Sequence, residues 1–256
     1  MQKVTLPRLD DDAGLTFLWD YLVGHRHPRP GIDENAARFL SRCLGQFSHS
    51  KAQLFQDLYV AHRLGDKRNG YFVEFGAMDG VTLSNSYYLE SALDWTGIVA
   101  EPLPAWHDAL AANRRAVVDR RCVWWESGKT LDFVAANRNP ELSSIAEFAD
   151  GDYEASRRAK DATTIAVQSV SLNDLLTEHN APSRIDYLSV DTEGSELDIL
   201  SAFDFKRFEV SVITVEHNFK PDIRGSIQQL LNAHGFIREF EQFSRFDDWY
   251  YHPARV

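Results

Sequence analysis

Cysteines and long apolar runs are scarce in this 256-residue chain, and each shortage excludes a class of protein. The two cysteines, Cys43 and Cys122, are far apart and lack the spacing of metal ligands, so we expect buried, reduced thiols. No stretch approaches the roughly 20 apolar residues that span a bilayer. The opening residues, MQKVTLPRLDDDAG, are acidic and have no apolar centre, unlike a secretory signal. These features predict a cytoplasmic enzyme without a membrane span.

Basic residues are also fewer than acidic ones. The formal net charge is −11 at pH 7, whereas a nucleic-acid surface needs clustered lysine and arginine to bind phosphates. We therefore expect no nucleic-acid partner. The short basic clusters are interpreted as solvated faces, with contact to an anionic substrate as the alternative; they are Arg114-Arg115, Arg120-Arg121 and Arg157-Arg158-Ala159-Lys160.

The known phosphate-binding motifs are missing as well. EFGAMDG at 74–80 places an acid at the end of an apolar run, followed by Gly76 and Gly80, and glycine lets the backbone turn sharply and approach a ligand closely. Met78 stands where a dinucleotide motif has its middle glycine, so Gly-x-Gly-x-x-Gly is not formed, and there is no P-loop Gly-Lys-Ser/Thr. The pattern favours a nucleoside ligand that carries no phosphate.

Residues 1–68 are predicted to form a helical extension ahead of the main domain. HPRPG at 27–31 indicates a turn, and a further helix is expected over about 51–64. We expect this extension to cap the active site or to form the interface of a homo-oligomer. A buried helical stripe is indicated by apolar residues at i, i+3, i+4, i+7 and i+8, namely Ala36, Phe39, Leu40, Cys43 and Leu44.

Apolar runs alternate with helical patterns over residues 69–256. This alternation predicts an α/β fold with a doubly wound, mostly parallel, seven-stranded Rossmann-like sheet. Residues 126–166 have no clean period, so we expect a loop or lid there with one short strand near 131–134. Ser84, Ser171 and Ser195 are predicted to cap helices. Strands are predicted at 71–75, 97–100, 122–125, 185–190, 210–215, 236–240 and 249–251.

Four acidic residues end predicted strands: Glu74, Glu101, Asp191 and Glu216. Ligands of such sheets bind at the carboxyl ends of the strands, so we expect one edge to carry all four carboxylates. S-adenosylmethionine suits that edge, because it has no phosphate but carries an amino-acid end, a ribose and a sulfonium. We expect Glu74 to face its cationic part, directly or through water, and Glu101 to accept both ribose hydroxyls.

Six segments of the chain resemble the FkbM-type methyltransferase family. The resemblance implies an S-adenosylmethionine-binding, Rossmann-like fold that O-methylates a hydroxyl of a sugar, glycan or other secondary metabolite. In the glycine loop, Glu-Phe-Gly-Ala-Met replaces the Asp-x-Gly-Ala-Asn of many relatives. The segments are YFVEFGAMDGVTLSNSYYLE (71–90), IVAEP (98–102), RIDYLSVDTEGSELDIL (184–200) and VITVEHN (212–218), with SHSKAQLFQDLYV (48–60) and FDDWYY (246–251) similar to one branch.

The same resemblance implies a set of cofactor-binding residues. They lie in the glycine loop, in the helix start that follows it, and at the ends of the second and fourth predicted strands. The expected set is Glu74, Phe75, Gly76, Ala77, Met78, Gly80, Ser84, Asn85, Glu101, Pro102 and Asp191.

Candidate catalytic residues follow the fourth and fifth predicted strands: Asp191, Glu193, Glu216 and His217. Methyl transfer is a direct displacement, so the enzyme must align the acceptor and remove its proton. His217, with an ordinary pKa near 6.5, is one candidate base. Alternatively Asp191 and Glu216, with His217 or Asn218, bind Mg²⁺ or a related cation, similar to catechol O-methyltransferase. In a third interpretation Asp191 and Glu193 cap a helix and Glu216 pairs with an arginine.

Two functions of other classes stay open at this point. One is a nicotinamide oxidoreductase, which the missing glycine motif disfavours; the other is a catalytically silent cofactor-binding module. Further residues are interpreted as packing: His179, His234, the aromatic tail 240–251 rather than a sugar-stacking platform, and Trp124 with Trp125, unless one of them flanks adenine.

Overall fold

A mixed seven-stranded sheet organises the computed structural model of the chain, which describes Thr16 and residues 33–149, 155–159 and 161–256. Together with a smaller second sheet, it is built from strands β1 Tyr71–Phe75, β2 Thr96–Ala100, β3 Val117–Asp119, β4 Cys122–Trp124, β5 Thr130–Ala136, β6 Ser144–Ile145, β7 Ala162–Ser171, β8 Arg184–Val190, β9 Glu209–Glu216, β10 Ile237–Glu239 and β11 Asp247–Tyr251.

Helices connect most of these strands. A 3₁₀ turn, Pro104–Trp106, leads directly into the fourth of them. In chain order the helices are α1 Glu34–Gln46, α2 Gln56–Arg63, α3 Tyr87–Leu93, α4 His107–Asn113, α5 Ala155–Arg158, α6 Leu172–Glu178, α7 Glu196–Ala202, α8 Pro221–Ala233 and α9 Glu241–Ser244.

The main sheet has the strand order β3-β2-β1-β8-β9-β11-β10. The five strands from β3 to β9 are parallel, while β11 pairs antiparallel with β9 and β10 pairs antiparallel with β11. The strand order reverses between β1 and β8, which is where such sheets bind ligands. The predicted doubly wound, mostly parallel, seven-stranded sheet is confirmed.

The central strands are almost wholly buried, although polar residues such as Asp186 and Ser189 lie among their apolar ones. In β8 and β9 every residue after the first is buried, as expected for parallel strands. Helices α6, α7 and α8 supply one covering layer through Leu175, Leu200 and Leu231, each at most 1% exposed. The parallel pairing of these strands places their carboxyl ends at the same edge of the sheet.

The third strand of the main sheet is not the predicted one. Residues 122–125 were expected there, but Val117–Asp119 fills that place and pairs with β2. Cys122–Trp124 pairs with β7 in the second sheet instead. The edge strand is short and leaves Val117 43% exposed, so it lacks the apolar run that reveals a buried strand.

The prediction of a loop or lid over 126–166 is wrong at 130–136, 144–145 and 162–166, where the chain forms strands. β5, β6 and β7 form a second, four-stranded sheet with β4, in the order β4-β7-β5-β6. β7 buries only one face over part of its length, with Val167 6% exposed between exposed neighbours, and such half-buried strands show a weaker apolar signal. The strand expected near 131–134 is confirmed as β5.

The predicted serine caps are confirmed to different degrees. Ser171 caps α6: its Oγ accepts the Asp174 N–H at 3.1 Å. Ser84 lies ahead of α3 and its Oγ accepts the Tyr87 N–H at 3.1 Å, although Ser86 holds the cap position. Ser195 holds the cap position of α7 without a side-chain capping bond.

The helix predicted around residues 36–44 is present as α1. Ala36, Phe39 and Cys43 are buried, but Leu40 and Leu44 are 50% and 37% exposed, so the buried stripe is narrower than expected.

Both cysteines are free and buried, as predicted. The turn predicted at HPRPG lies outside the described residues.

Residues 42–256 group into one compact unit, and the described residues up to Ser41 fall in another. Residues 42–68, expected in the helical extension, thus group with the sheet. Tyr59 of α2 stacks on Trp249 of β11 at 4.8 Å, which ties this helix to the sheet; within the aromatic tail, Phe240, Trp249 and Tyr250 are core residues as predicted, whereas Phe246 is only half-buried. Among the described helices, none has the length and apolarity to span a bilayer.

Candidate functional site

A cavity of about 220 Å³ lies at the carboxyl edge of the main sheet. All four strand-end carboxylates line it: Glu74, Glu101, Asp191 and Glu216. The second sheet contributes to its wall through Phe133, and the residues that follow β5 extend that wall. The topology therefore brings the acids together where ligands of this sheet type bind.

Glu74, at the end of β1, is buried and heavily hydrogen-bonded. Its Oε2 accepts the Ser84 hydroxyl at 2.9 Å, and its Oε1 accepts the Asn85 N–H at 2.6 Å. The Ser86 hydroxyl also donates to Oε2. Glu74 therefore fixes the segment that leads into α3, in addition to facing the cavity. The predicted contact between Glu74 and the cationic part of a cofactor stays a prediction.

Arg114 completes this network and is not the solvated residue that the basic cluster suggested. Its side chain is fully buried; its Nε lies 2.6 Å from Glu90 Oε2 and its Nη1 lies 3.4 Å from Glu74 Oε2. Two oppositely charged partners offset the cost of burying the guanidinium. Arg115, by contrast, keeps a 68% exposed side chain.

The glycine loop requires its glycines. Gly76 and Gly80 have φ values of 67° and 81°, in the left-handed region. A Cβ on Gly76 would lie 2.9 Å from the Asp191 carbonyl oxygen, and one on Gly80 would lie 2.7 Å from Leu110 Cδ1. Met78 adopts a φ of 47° although it is not glycine, a conformation that costs energy. The loop that follows β1 therefore lies in close contact with the backbone at the end of β8.

Glu101, at the end of β2, anchors the other side of the loop. Its Oε2 accepts the Met78 N–H and its Oε1 accepts the Leu103 N–H, both at 2.8 Å. Burial raises the pKa of the Glu101 carboxyl to about 7, and the two N–H donors oppose that rise. Each carboxylate oxygen has a second lone pair, so both oxygens retain capacity to accept further hydrogen bonds. Pro102 lines the cavity next to Glu101.

Asn85 presents an unused acceptor to the cavity. Its Nδ2 donates to Ser189 Oγ at 3.0 Å, which fixes the amide. Its Oδ1 is buried and receives no hydrogen bond from the described residues. Buried acceptors without partners are rare in native proteins, and a bound ligand is one explanation.

Asp191, Glu193 and Glu216 form an acid cluster, with one oxygen from each within 4.8 Å of the others. Asn218 Nδ2 donates to Glu216 Oε2 at 2.8 Å and to Glu193 Oε2 at 3.3 Å. Burial, then the nearby acids, raises the pKa of the Asp191 carboxyl to about 8, and the same causes raise the pKa of Glu216 well above its ordinary range. The close approach of three carboxyl groups therefore disfavours the ionisation of all of them at once.

Unusual backbone conformations support the acid cluster. Glu193 and Asn218 have φ values of 58° and 47°, which side-chain-bearing residues adopt at a cost of about 1–3 kcal/mol. Gly194 follows with a φ of 133°, and a Cβ there would lie 2.6 Å from Phe148 Cβ. Strain of this kind concentrates at functional sites.

His217 is not brought into the acid cluster. Its Nε2 lies 3.1 Å from the Asp247 carbonyl oxygen, and its Nδ1 accepts the Phe219 N–H at 3.1 Å. It is buried and is not among the described residues that line the cavity. Burial lowers its pKa. Both ring nitrogens are thus engaged away from the position of a base.

Sequence reasoning missed Gln56, which reaches the cavity from the start of α2. Its Nε2 donates to Asp247 Oδ2 at 2.7 Å, and burial raises the pKa of Asp247 to about 7. Both residues lie in segments with a family resemblance, which was the available signal. Neither Trp124 nor Trp125 is among the described residues that line the cavity; Cys122, Val123 and Phe133 lie there instead.

The two histidines interpreted as packing residues, His179 and His234, are both held by neighbouring side chains. His179 Nε2 lies 2.8 Å from Asp119 Oδ2, and His234 stacks on Phe205 at 4.2 Å. Arg121, from a cluster interpreted as solvated, is also paired with Asp119 and lines the cavity.

Comparison with known proteins gives one family match and several relatives. Residues 74–246 match the methyltransferase FkbM domain. Methyltransferase sdnD of Sordaria araneosa is 28% identical over 194 residues, which cover 66% of this chain and 74% of the relative.

Solved structures of two methyltransferases also align with the chain, each at 12% identity. One, from Geobacter sulfurreducens, has a TM-score of 0.40 and covers 93% of this chain and 96% of its own. The other, an O-methyltransferase from Bacillus cereus in complex with SAH, has a TM-score of 0.38 and covers 91% and 94%. Likeness at this level bears on neither substrate nor cofactor.

Proposed function

The chain belongs to the FkbM methyltransferase domain family, and on that premise we propose that it transfers a methyl group from S-adenosylmethionine to a hydroxyl of a sugar, glycan or other secondary metabolite. The observation that carries the proposal is the meeting of four strand-end carboxylates around one cavity. A nicotinamide oxidoreductase is disfavoured by membership of a methyltransferase family.

The residues present fit this cofactor. The loop at Gly76 leaves no room for a Cβ beside Asp191 and offers no lysine or arginine for a phosphate. The unpartnered Asn85 Oδ1 and the carboxylates suit a positively charged ligand. Glu101 retains lone pairs for two ribose hydroxyls. Glu74 supports this arrangement by fixing Ser84 and Asn85.

S-adenosylmethionine, when bound, would supply a sulfonium methyl to a nucleophilic oxygen: a C–O bond forms, the C–S bond breaks and its electron pair leaves with the sulfur of S-adenosylhomocysteine. The acid cluster performs the protein's part by accepting the acceptor's hydroxyl proton. A base works best when its pKa is near the operating pH, and Asp191, with a pKa raised to about 8, meets that condition. Asn218 orients Glu193 and Glu216 toward one point.

A divalent cation at Asp191 and Glu216 is the alternative to base catalysis. Glu193 provides a third oxygen ligand within the same 4.8 Å, and oxygen-rich sites suit Mg²⁺. A cation there would offset the repulsion among the carboxylates and lower the pKa of a bound hydroxyl. Assays after EDTA treatment separate the two versions, because undiminished methyl transfer would remove the cation.

Calorimetry and single-turnover assays test the function. We expect S-adenosylhomocysteine to bind and NADH not to bind. Methyl transfer from labelled S-adenosylmethionine to a panel of saccharides would separate an active enzyme from a silent binding module. Binding of NADH without S-adenosylhomocysteine would refute the proposal.

A further inference from the structure

Two neighbouring phenylalanines, of which one lines the cavity, lie close to the acid cluster in the chain or in space. Phe246 lines the cavity, and Phe219 packs edge-on against it, with ring centroids 6.3 Å apart and an interplanar angle of 82°. Phe219 is 58% exposed, the highest value among the large apolar side chains of the described residues. An aromatic ring left in water beside a cavity gains free energy when a ligand covers it.

The backbone holds Phe219 in a conformation that it disfavours. Asn218 and Phe219 have φ values of 47° and 54°, two consecutive residues in the left-handed region without a glycine. The N–H groups of His217 and Asn218 both donate to the Phe246 carbonyl oxygen, at 2.8 and 3.2 Å. The Phe219 N–H donates to His217 Nδ1. The two phenylalanines are therefore joined through the backbone as well as through their rings.

The turn that presents Phe219 also carries part of the acid cluster. Glu216 ends β9, and Asn218 hydrogen-bonds both Glu216 and Glu193. A molecule whose hydroxyl meets these carboxylates therefore lies beside Phe246 and within reach of Phe219. One acceptor molecule can therefore contact the acid cluster and the two phenylalanines at once.

The charges around the cavity favour a neutral acceptor. Arg121 and Arg157 line the cavity, but Arg121 pairs with Asp119 and Glu178, and Arg157 pairs with Glu141. Their positive charge is therefore already offset by acids. The acid cluster adds negative charge, which disfavours an anionic acceptor.

We propose that Phe219 and Phe246, one ring turned edge-on to the other, form an aromatic platform that contacts the C–H groups of a neutral, hydroxyl-bearing six-membered ring, such as a hexopyranoside. The inference rests on the proposed methyltransferase function and names its acceptor class and two specificity-determining residues. Such a ring presents hydroxyls at its edge, toward the carboxylates, and C–H groups on its face, toward the aromatic rings. Leu83, which lines the same cavity and is 37% exposed, adds apolar surface.

Saturation-transfer difference NMR tests the platform with the full chain, S-adenosylhomocysteine and a set of methyl hexopyranosides. We expect saturation to reach the ring protons of at least one glycoside, and the signal to fall at least fivefold in Phe219→Ala and Phe246→Ala. Phe47→Ala is the matched control, since Phe47 is 48% exposed and is not among the described cavity residues. Its signal should equal that of the unmodified chain.

Calorimetry with S-adenosylhomocysteine, run in parallel, distinguishes failure of the aromatic platform from failure of the proposed methyltransferase function. If that ligand binds but no glycoside shows saturation transfer, or Phe219→Ala keeps the full signal, the platform is refuted and the methyltransferase function stands. If S-adenosylhomocysteine does not bind, the function itself fails. Should Phe219→Ala lower the melting temperature, Phe219→Leu, which keeps the apolar bulk without the ring, provides the decisive comparison and should also lose the signal.

Discussion

The backbone carbonyl oxygen of Asp191 lies 2.9 Å from the position that a Cβ atom on Gly76 would occupy. Two strands of the main sheet, β1 and β8, therefore meet at a point where one methyl group does not fit. The obstacle is backbone, which cannot rotate away as a flexible side chain does.

We expect Gly76→Ala to weaken S-adenosylhomocysteine binding at least tenfold in calorimetry, because relieving the clash displaces the loop or the end of β8. Gly128→Ala is the control: Gly128 has a φ of 77°, similar to the 67° of Gly76, but a Cβ there meets nothing within 4 Å. The control carries the left-handed penalty of about 1 kcal/mol without the clash. Equal affinity in the two variants would contradict this explanation.

Arg114→Met should destabilise the chain by about 3–5 kcal/mol, since it leaves the buried Glu74 carboxylate without its cation and the buried Glu90 carboxylate with only the exposed Arg115. Urea unfolding measures the change. Arg120→Met, at an exposed arginine outside this network, should change stability by roughly 0.5 kcal/mol or less. Similar losses of stability in both variants would show that the buried ion pairs of Arg114 contribute little to the free energy of unfolding.

The rate of methyl transfer should rise with pH between 6 and 9. A base acts in its ionised form, and burial beside other acids raises the pKa of Asp191 to about 8, so the ionised fraction grows about tenfold per pH unit below that value. Single-turnover rates across this range measure it. A base at His217, whose pKa is lowered by burial, would instead give a midpoint below its ordinary value of about 6.5.

Glu101→Gln should weaken S-adenosylhomocysteine binding about tenfold and remove its pH dependence. In the unmodified chain the pKa of Glu101 is raised to about 7. The ionised form accepts hydroxyls more strongly, so affinity should increase from pH 6 to pH 8. Calorimetry at both pH values tests this. Glu126→Gln, at a side chain that is 40% exposed, should preserve both affinity and pH dependence; a flat profile in the unmodified chain would contradict the assignment.

The central sheet was predictable because its strands are buried on both faces. Runs such as 71–75, 185–190 and 210–215 stand out as continuous apolar segments, and their terminal acids mark the carboxyl edge. The edge strand Val117–Asp119 and the second sheet were missed, since short or half-exposed strands show no such run.

The candidate site was predictable by position more than by role. The strand-end rule located Glu74, Glu101, Asp191 and Glu216, but sequence alone does not show that Arg114 is buried or that His217 turns away from the cavity. Both outcomes depend on partners distant in sequence, namely the Glu90 side chain and the Asp247 carbonyl oxygen. Local patterns contain no information about those partners.

The second sheet packs around its own apolar cluster, which includes Phe133, Ile145 and Val167, while contributing a wall to a cavity whose acids stand on the main sheet. One cavity is thus enclosed by two separate apolar clusters. Substitutions within the core of β5–β7 should therefore alter the cavity wall at Phe133 while leaving the packing beneath the four strand-end carboxylates unchanged.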